Sequence, residues 1–170
     1  MTASRKPTAR IRALFTDVDG CLTDGGMYFD ASGQAMKRFD VKDGFIVGPL
    51  QASGVLWIWV TGDDSAITRA RAARLGIDEL RSGVDEKGQV VRELLQRNGL
   101  RPDEVVYMGD DLNDLPAFAE VGLRACPADA VAQVRQAADL VLSCPGGHGA
   151  ARELADLILA WNADHATSDG

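Results

Sequence analysis

Cysteine and histidine are scarce in this chain, and basic residues are outnumbered by acidic ones. The three cysteines, Cys21, Cys126 and Cys144, form an odd set with no CxxC spacing, so neither a disulfide framework nor a zinc site is indicated. That usage fits a reducing, cytoplasmic setting. His148 and His165 are the only histidines, and neither has a partner at ligand-like spacing. No apolar run approaches the roughly 20 residues of a membrane span. The net charge of -7 argues against nucleic acid or an anionic membrane as a partner. Linkers, repeats and low-complexity runs are missing too, so the 170 residues predict a single domain. The expected boundaries are a loosely attached basic leader over 1–10, a folded unit over 11–164 and a flexible polar tail over 165–170.

What is present is an apolar run that stops abruptly at charge. Ile11 to Thr16 reads as a short buried strand, and Asp17-Val18-Asp19-Gly20-Cys21-Leu22-Thr23-Asp24 follows it. Two carboxylates at the end of a buried strand are costly unless a cation or a proton settles the charge. A lone Asp-x-Asp is usually a polar cap on a strand. Here the pair continues into Gly-x-Leu-Thr-Asp, which loop composition alone does not produce.

The rest of the chain alternates strand and helix patterns. A hairpin is expected over Met27 to Asp30 and Ala35 to Val41, then a helix from Lys42 to about Ala52 closed by Gly54. Val55 to Val60 is continuously apolar, as a strand buried on both faces should be. A helix to Leu75, a short strand in Ile77 to Gly83 and a helix over Lys87 to Asn98 come next. The expected remainder is a strand at Val105 to Met108, a helix over Leu112 to Glu120, a strand at Gly122 to Ala125 and a helix over Ala130 to Ala138. A strand at Leu140 to Leu142 and an amphipathic helix over Ala150 to Ala163 complete it. The pattern predicts an α/β doubly wound parallel sheet, in which ligands bind at the carboxyl ends of strands. The polar clusters at Asp17, Thr61 and Asp110 each follow an apolar strand.

Four clusters in order, Asp17-Val18-Asp19, Thr61-Gly62-Asp63, Lys87 and Gly109-Asp110-Asp111-Leu112-Asn113-Asp114, resemble the haloacid dehalogenase superfamily of phosphohydrolases. The resemblance covers Ile11 to Trp161. It implies a phosphoric monoester hydrolase with Asp17 as nucleophile, forming an aspartyl-phosphate, and Asp19 as general acid and then base. A carboxylate attacking a phosphate dianion requires a cation, and the resemblance implies Mg2+ held by Asp17, the Asp19 carbonyl and Asp110. Asp111 and Asp114 are expected to orient waters or Lys87. Thr61 and Gly62 are expected to hold phosphate oxygens, and Lys87 to stabilise the transferring group. Taken alone, Thr-Gly after a strand is most often simple capping, and Lys87 would read as a solvated surface lysine.

Too few residues separate Thr61 from Lys87, or Asp24 from Val55, to hold a cap domain. A capless site needs a large substrate or closure by neighbouring subunits. Within the superfamily the chain is similar to the 3-deoxy-D-manno-octulosonate 8-phosphate phosphatase family, which implies a homotetramer serving lipopolysaccharide precursor synthesis. The matching stretches are Thr23-Asp24-Gly25, Phe39 to Gly44, Gly109 to Asp114 and Gly146 to Glu153.

By the same resemblance, Asp40, Val41, Lys42, Asp43, Gly44 and Arg71 match positions that contact the sugar acid. The chain departs from that pattern at Gly48 and Asp63, where octulosonate enzymes usually carry arginines able to bind a sugar carboxylate. An acidic residue after Thr-Gly, with Arg71 beyond it, looks more like the branch acting on 2-keto-3-deoxynononate 9-phosphate. A third reading is an idle interaction subunit resembling the module attached to sialic-acid cytidylyltransferases. Trp57 and Trp59 are expected in the core. Met27, Tyr28 and Phe29 are open to two readings, a subunit interface or packing on the domain itself.

Overall fold

The computed structural model describes residues 6–168, so residues 1–5 of the expected leader and 169–170 of the expected tail lie outside the described residues. In chain order the elements begin with β1 (Ala13–Thr16), β2 (Tyr28–Asp30), β3 (Gly33–Met36), α1 (Val41–Gly44), α2 (Val47–Ala52) and β4 (Leu56–Val60). They continue through α3 (Ala66–Leu75), β5 (Glu79–Arg81), α4 (Lys87–Arg97), β6 (Val105–Met108) and α5 (Leu115–Phe118). The last are β7 (Leu123–Cys126), α6 (Ala132–Ala137), β8 (Leu140–Val141) and α7 (Ala150–Ser168).

Six strands make one parallel sheet in the order β5-β4-β1-β6-β7-β8, and β2 pairs with β3 in a separate antiparallel ribbon. Both β1 and β6 are buried throughout, which explains their apolar runs without polar alternation. Successive side chains still take opposite faces. Leu14, Trp57, Trp59, Val106 and Met108 pack with Leu50 of α2, Ala72 of α3 and Leu154 of α7. On the other face Phe15, Ile58, Val60 and Tyr107 pack with Val91 of α4, Phe118 of α5 and Val134 of α6. Asn162 of α7 bonds both the N–H and the C=O of Ile11 at 2.8 Å, tying the last helix to the entry of the central strand.

The strand order reverses at β1. The chain runs outward through β4 and β5, then returns to β6 on the other side. Ligands bind such sheets at this switch point, and Asp17, Thr61 and Asp110 lie just beyond β1, β4 and β6. Between β1 and β4 there is space for the hairpin and two short helices only, so no cap domain is inserted. Among the described residues no helix is long and apolar enough to cross a membrane.

Several boundaries differ from expectation, each for a local reason. The helix expected from Lys42 to Ala52 is two pieces, α1 and α2. Pro49 has no N–H to donate back along a continuous helix, and the break places it in the first turn of α2, where none is needed. The expected second hairpin strand ends at Met36, because Lys37 turns inward and Phe39 stacks on Trp59 with ring centroids 6.2 Å apart. The helix expected from Leu112 opens as a 3-10 turn, Leu112–Asp114, before α5. At the end, α7 runs to Ser168, five residues past Ala163, with no glycine or proline to stop it before Gly170.

Candidate active site

The central strand delivers Asp17 into a buried corner. Its N–H donates to the Met108 carbonyl at 2.9 Å, and its Oδ1 accepts from the Val18 N–H at 2.7 Å. Its Oδ2 lies 2.7 Å from Nζ of Lys87, whose side chain is 1% exposed. That lysine starts α4, and it points inward rather than into solvent. The same ammonium donates to Asp114 Oδ1 at 2.7 Å. Asp114 is itself sealed, accepting from the Tyr107 hydroxyl at 2.8 Å, the Asp110 N–H at 2.9 Å and the Asp111 N–H at 3.2 Å. All four donors converge on one carboxylate, so Asp114 organises the lysine and the loop that carries Asp110.

Asp17, Asp110 and Asp114 each place a carboxylate oxygen within 4.8 Å of the others. Asp17 and Asp114 thus bracket the one ammonium, with the Asp110 carboxylate close to both of them. Burial, reinforced by the charge of Asp114, pushes the Asp17 carboxyl up to about 7 despite Lys87. Burial and the charges of Asp17 and Asp114 push Asp110 up to about 8. For Lys87, burial works to lower the pKa, but Asp17 and Asp114 outweigh it and the net shift is upward. This corner has more negative charge than its lysine neutralises, and its donors are all oxygen. That composition suits a hard divalent cation. Because Asp114 already accepts four hydrogen bonds, Asp17 and Asp110 are the side chains left to hold one.

The loop after Asp17 is shaped by close backbone approach. Gly20 has φ +80°, and a Cβ there would overlap the Asp110 carboxylate. Gly146 of the Gly-rich turn rests against the Gly20 carbonyl, leaving no space for a side chain. Asp19 lies at the rim, its side chain 41% exposed. Thr23 Oγ1 donates to its Oδ1 at 3.2 Å, and Lys37 Nζ to its Oδ2 at 2.6 Å. Thr61, buried beyond β4, uses its hydroxyl to accept from the Asp63 N–H at 3.1 Å, while Gly62 beside it is exposed.

The residues expected to meet the sugar form a second group. Asp40 caps α1 by accepting from the Lys42 N–H at 2.8 Å; Val41 and the Lys42 side chain are largely exposed. Arg71 lies over the Phe39 ring, 5.6 Å from its centroid, and donates to the Asp40 carbonyl at 3.4 Å, against Gly44. Asp43, also expected to meet the sugar, has structural partners in the fold. Its carboxylate is buried and accepts from the N–H groups of Arg152 at 2.8 Å and Gly149 at 3.3 Å, capping the start of α7. Trp57 and Trp59 are in the core, as expected.

Lys37 is the residue that sequence reasoning missed. Between Met36 and Arg38 on an exposed hairpin, nothing marks it apart from any surface cation. On sequence, Asp63 stands out as a departure from the octulosonate pattern and a likeness to the nine-carbon branch, with no sign of a bond to Lys37. The structure pairs the two at 2.9 Å.

A haloacid dehalogenase-like hydrolase signature matches residues 68–154. The 3-deoxy-D-manno-octulosonate 8-phosphate phosphatase KdsC of Haemophilus influenzae is 43% identical over 149 residues, which cover 88% of this chain and 83% of that protein. The chain belongs to this phosphatase family. It is thus a member of a family of phosphoric monoester hydrolases, and its fold matches theirs. The cobalt-bound Haemophilus influenzae enzyme superposes with a TM-score of 0.88 at 40% identity, covering 95% of this chain and 94% of that one. The Moraxella catarrhalis enzyme, solved with magnesium, phosphate and the sugar acid KDO, gives 0.86 at 32% identity over 95% and 94%.

Proposed function

We propose that this chain is a Mg2+-dependent phosphomonoesterase that converts 3-deoxy-D-manno-octulosonate 8-phosphate to the free sugar acid and phosphate. The observation that carries the reading is the Asp17 carboxylate, held at the end of the central strand 2.7 Å from a fully buried ammonium. The related enzymes named above support the substrate. An Asp17 oxygen attacks phosphorus, the ester P–O bond breaks, and the electron pair leaves with the sugar oxygen, which takes a proton from Asp19. Water then attacks the aspartyl-phosphate and gives a proton to Asp19, releasing phosphate and restoring Asp17. Lys87 neutralises charge on the transferring group, and Thr61 and Gly62 supply donors beside it. Asp17, Asp110 and the Asp19 carbonyl are the oxygens that would hold Mg2+, which when bound supplies electrostatic stabilisation of the phosphoryl oxygens.

The remaining parts of the reading are an eight-carbon substrate, a cytoplasmic enzyme feeding lipopolysaccharide precursor synthesis, and one catalytic domain over 11–164 flanked by a leader and a tail. A homotetramer is supported by the exposed Met27, Phe29 and Met36 of the hairpin, an apolar surface that a neighbour would cover. Asp63 and Arg71 favour a second reading with the nine-carbon 2-keto-3-deoxynononate 9-phosphate, and kcat/KM on the two sugar phosphates separates them. An idle interaction subunit does not need the assembled set of Asp17, Asp19, Lys87 and Asp110. Asp17→Asn should abolish Mg2+-dependent phosphate release from p-nitrophenyl phosphate; full retained activity would defeat the mechanism.

A further inference from the structure

Lys37 leaves the hairpin at the end of β3 and buries its side chain to 1% exposure beneath the rim of the site. Its ammonium contacts Asp19 Oδ2 at 2.6 Å, Asp63 Oδ2 at 2.9 Å and Thr68 Oγ1 at 3.3 Å. Asp63 is itself fixed at the start of α3, accepting from Ser65 Oγ at 2.7 Å and Thr68 Oγ1 at 2.6 Å. A buried ammonium is costly unless charge and hydrogen bonds settle it, and here two carboxylates and a hydroxyl do so. The lysine approaches Asp19 from the buried side, while the Asp19 side chain remains 41% exposed at the rim. Sealed in this way, the ammonium touches no bound molecule unless it leaves its partners. Whatever it contributes to a reaction passes through Asp19.

We propose that Lys37 is a positioning residue for Asp19, clamping its carboxylate at the rim against an anchor that Asp63 supplies. The proposal rests on the phosphatase reading above. It also gives Asp63 a role, as the fixed counter-anion of Lys37, and ties the hairpin to the carboxyl group that handles the proton.

The test compares two esters of one shape that differ in how much their leaving group needs a proton. Phenyl phosphate needs protonation as its bond breaks; p-nitrophenyl phosphate needs it far less. The parameter kcat/KM covers the steps up to loss of the alcohol, so it isolates proton delivery from the later attack of water. Lys37→Met should lose roughly tenfold more kcat/KM on phenyl phosphate than on p-nitrophenyl phosphate, a fraction of what general acid catalysis contributes. Lys37→Arg, which keeps the charge, should recover part of the difference. Asp63→Asn keeps the lysine but removes its anchor, and should show the same preference to a smaller extent.

A merely structural lysine would lower thermal stability and reduce both substrates alike. Equal losses on the two esters, or no loss on either, in a folded Lys37→Met protein would overturn the proposal. If that variant does not fold, equal losses in Asp63→Asn overturn it instead. A wild-type protein that hydrolyses neither ester would overturn the phosphatase reading and this inference together, whereas active wild type with equal losses defeats this inference alone.

Discussion

Replacing Asp114 by Asn keeps the shape of the side chain, removes its charge and turns one of its two acceptor oxygens into a donor. In the native protein Oδ1 receives Lys87 and Tyr107 at 2.7 and 2.8 Å, and Oδ2 receives the N–H groups of Asp110 and Asp111 at 2.9 and 3.2 Å. Whichever way the amide lies, two of these four donors meet an NH2 group. A buried donor left without an acceptor costs about 1–3 kcal/mol, so the two together cost about 2–6 kcal/mol. Part of this is offset, because removing the charge relieves the repulsion that Asp114 exerts on Asp17 and Asp110. A net loss of about 2–4 kcal/mol, at roughly 2–4 °C per kcal/mol for a chain of this size, lowers Tm by about 4–16 °C.

The assay is thermal unfolding with the divalent cation chelated, followed by a titration of activity against Mg2+. Since Asp114 holds both Lys87 and the Asp110 backbone, the Mg2+ concentration for half-maximal activity should also rise, by roughly 10–100-fold. A metal-free Tm equal to or above wild type would refute the reasoning. It would mean that crowding of like charge outweighs the hydrogen bonds in this corner.

Two further outcomes follow from the same geometry. Without a divalent cation, Asp17 and Asp110 have pKa values raised to about 7 and about 8. The folded state then binds protons that the unfolded chain has released, so the stability linked to them is complete below about pH 4 and is lost as pH rises through those values. A bound cation favours the ionised form, so the Tm gained on adding Mg2+ should be larger at about pH 8.5 than at about pH 6; calorimetry showing an equal or smaller gain at the higher pH would contradict the carboxylate site. On the hairpin, Met27→Ser with Phe29→Ser replaces two side chains that are 66% and 64% exposed in the isolated chain. Sedimentation should show wild type as an assembly and the double variant shifted toward monomer, with the thermal stability of the monomer unchanged.

Much of the fold was open to a reader of the sequence because each signal is local. An apolar run such as Val55 to Val60 is a buried strand wherever its neighbours lie, and Gly76 ends α3 in the left-handed conformation that glycine takes at little cost. Boundaries were less legible where a tertiary contact overrules the local pattern, as where Lys37 and Phe39 turn inward and end β3 early. Within the site, the polar clusters at Asp17, Thr61 and Asp110 stand out because each follows an apolar strand, whereas Lys87 stands out only through the resemblance to the phosphohydrolase motifs. The capping contacts of Asp43 could not be read, since its partners Gly149 and Arg152 lie more than a hundred positions away.

By itself, the sequence determined the alternation of strands and helices, the lack of space for a cap, and which carboxylates end up at strand ends. Those properties depend on the order and spacing of neighbouring residues. Only the tertiary structure decided how those groups divide the work. It buried Lys87 between Asp17 and Asp114, filled every acceptor of Asp114, and crowded Asp17 and Asp110 so that without a cation their pKa values rise to about 7 and about 8. It also drew Lys37 from an exposed hairpin to the inner side of Asp19. Electrostatic roles depend on distance and burial in three dimensions, and no spacing along the chain encodes either.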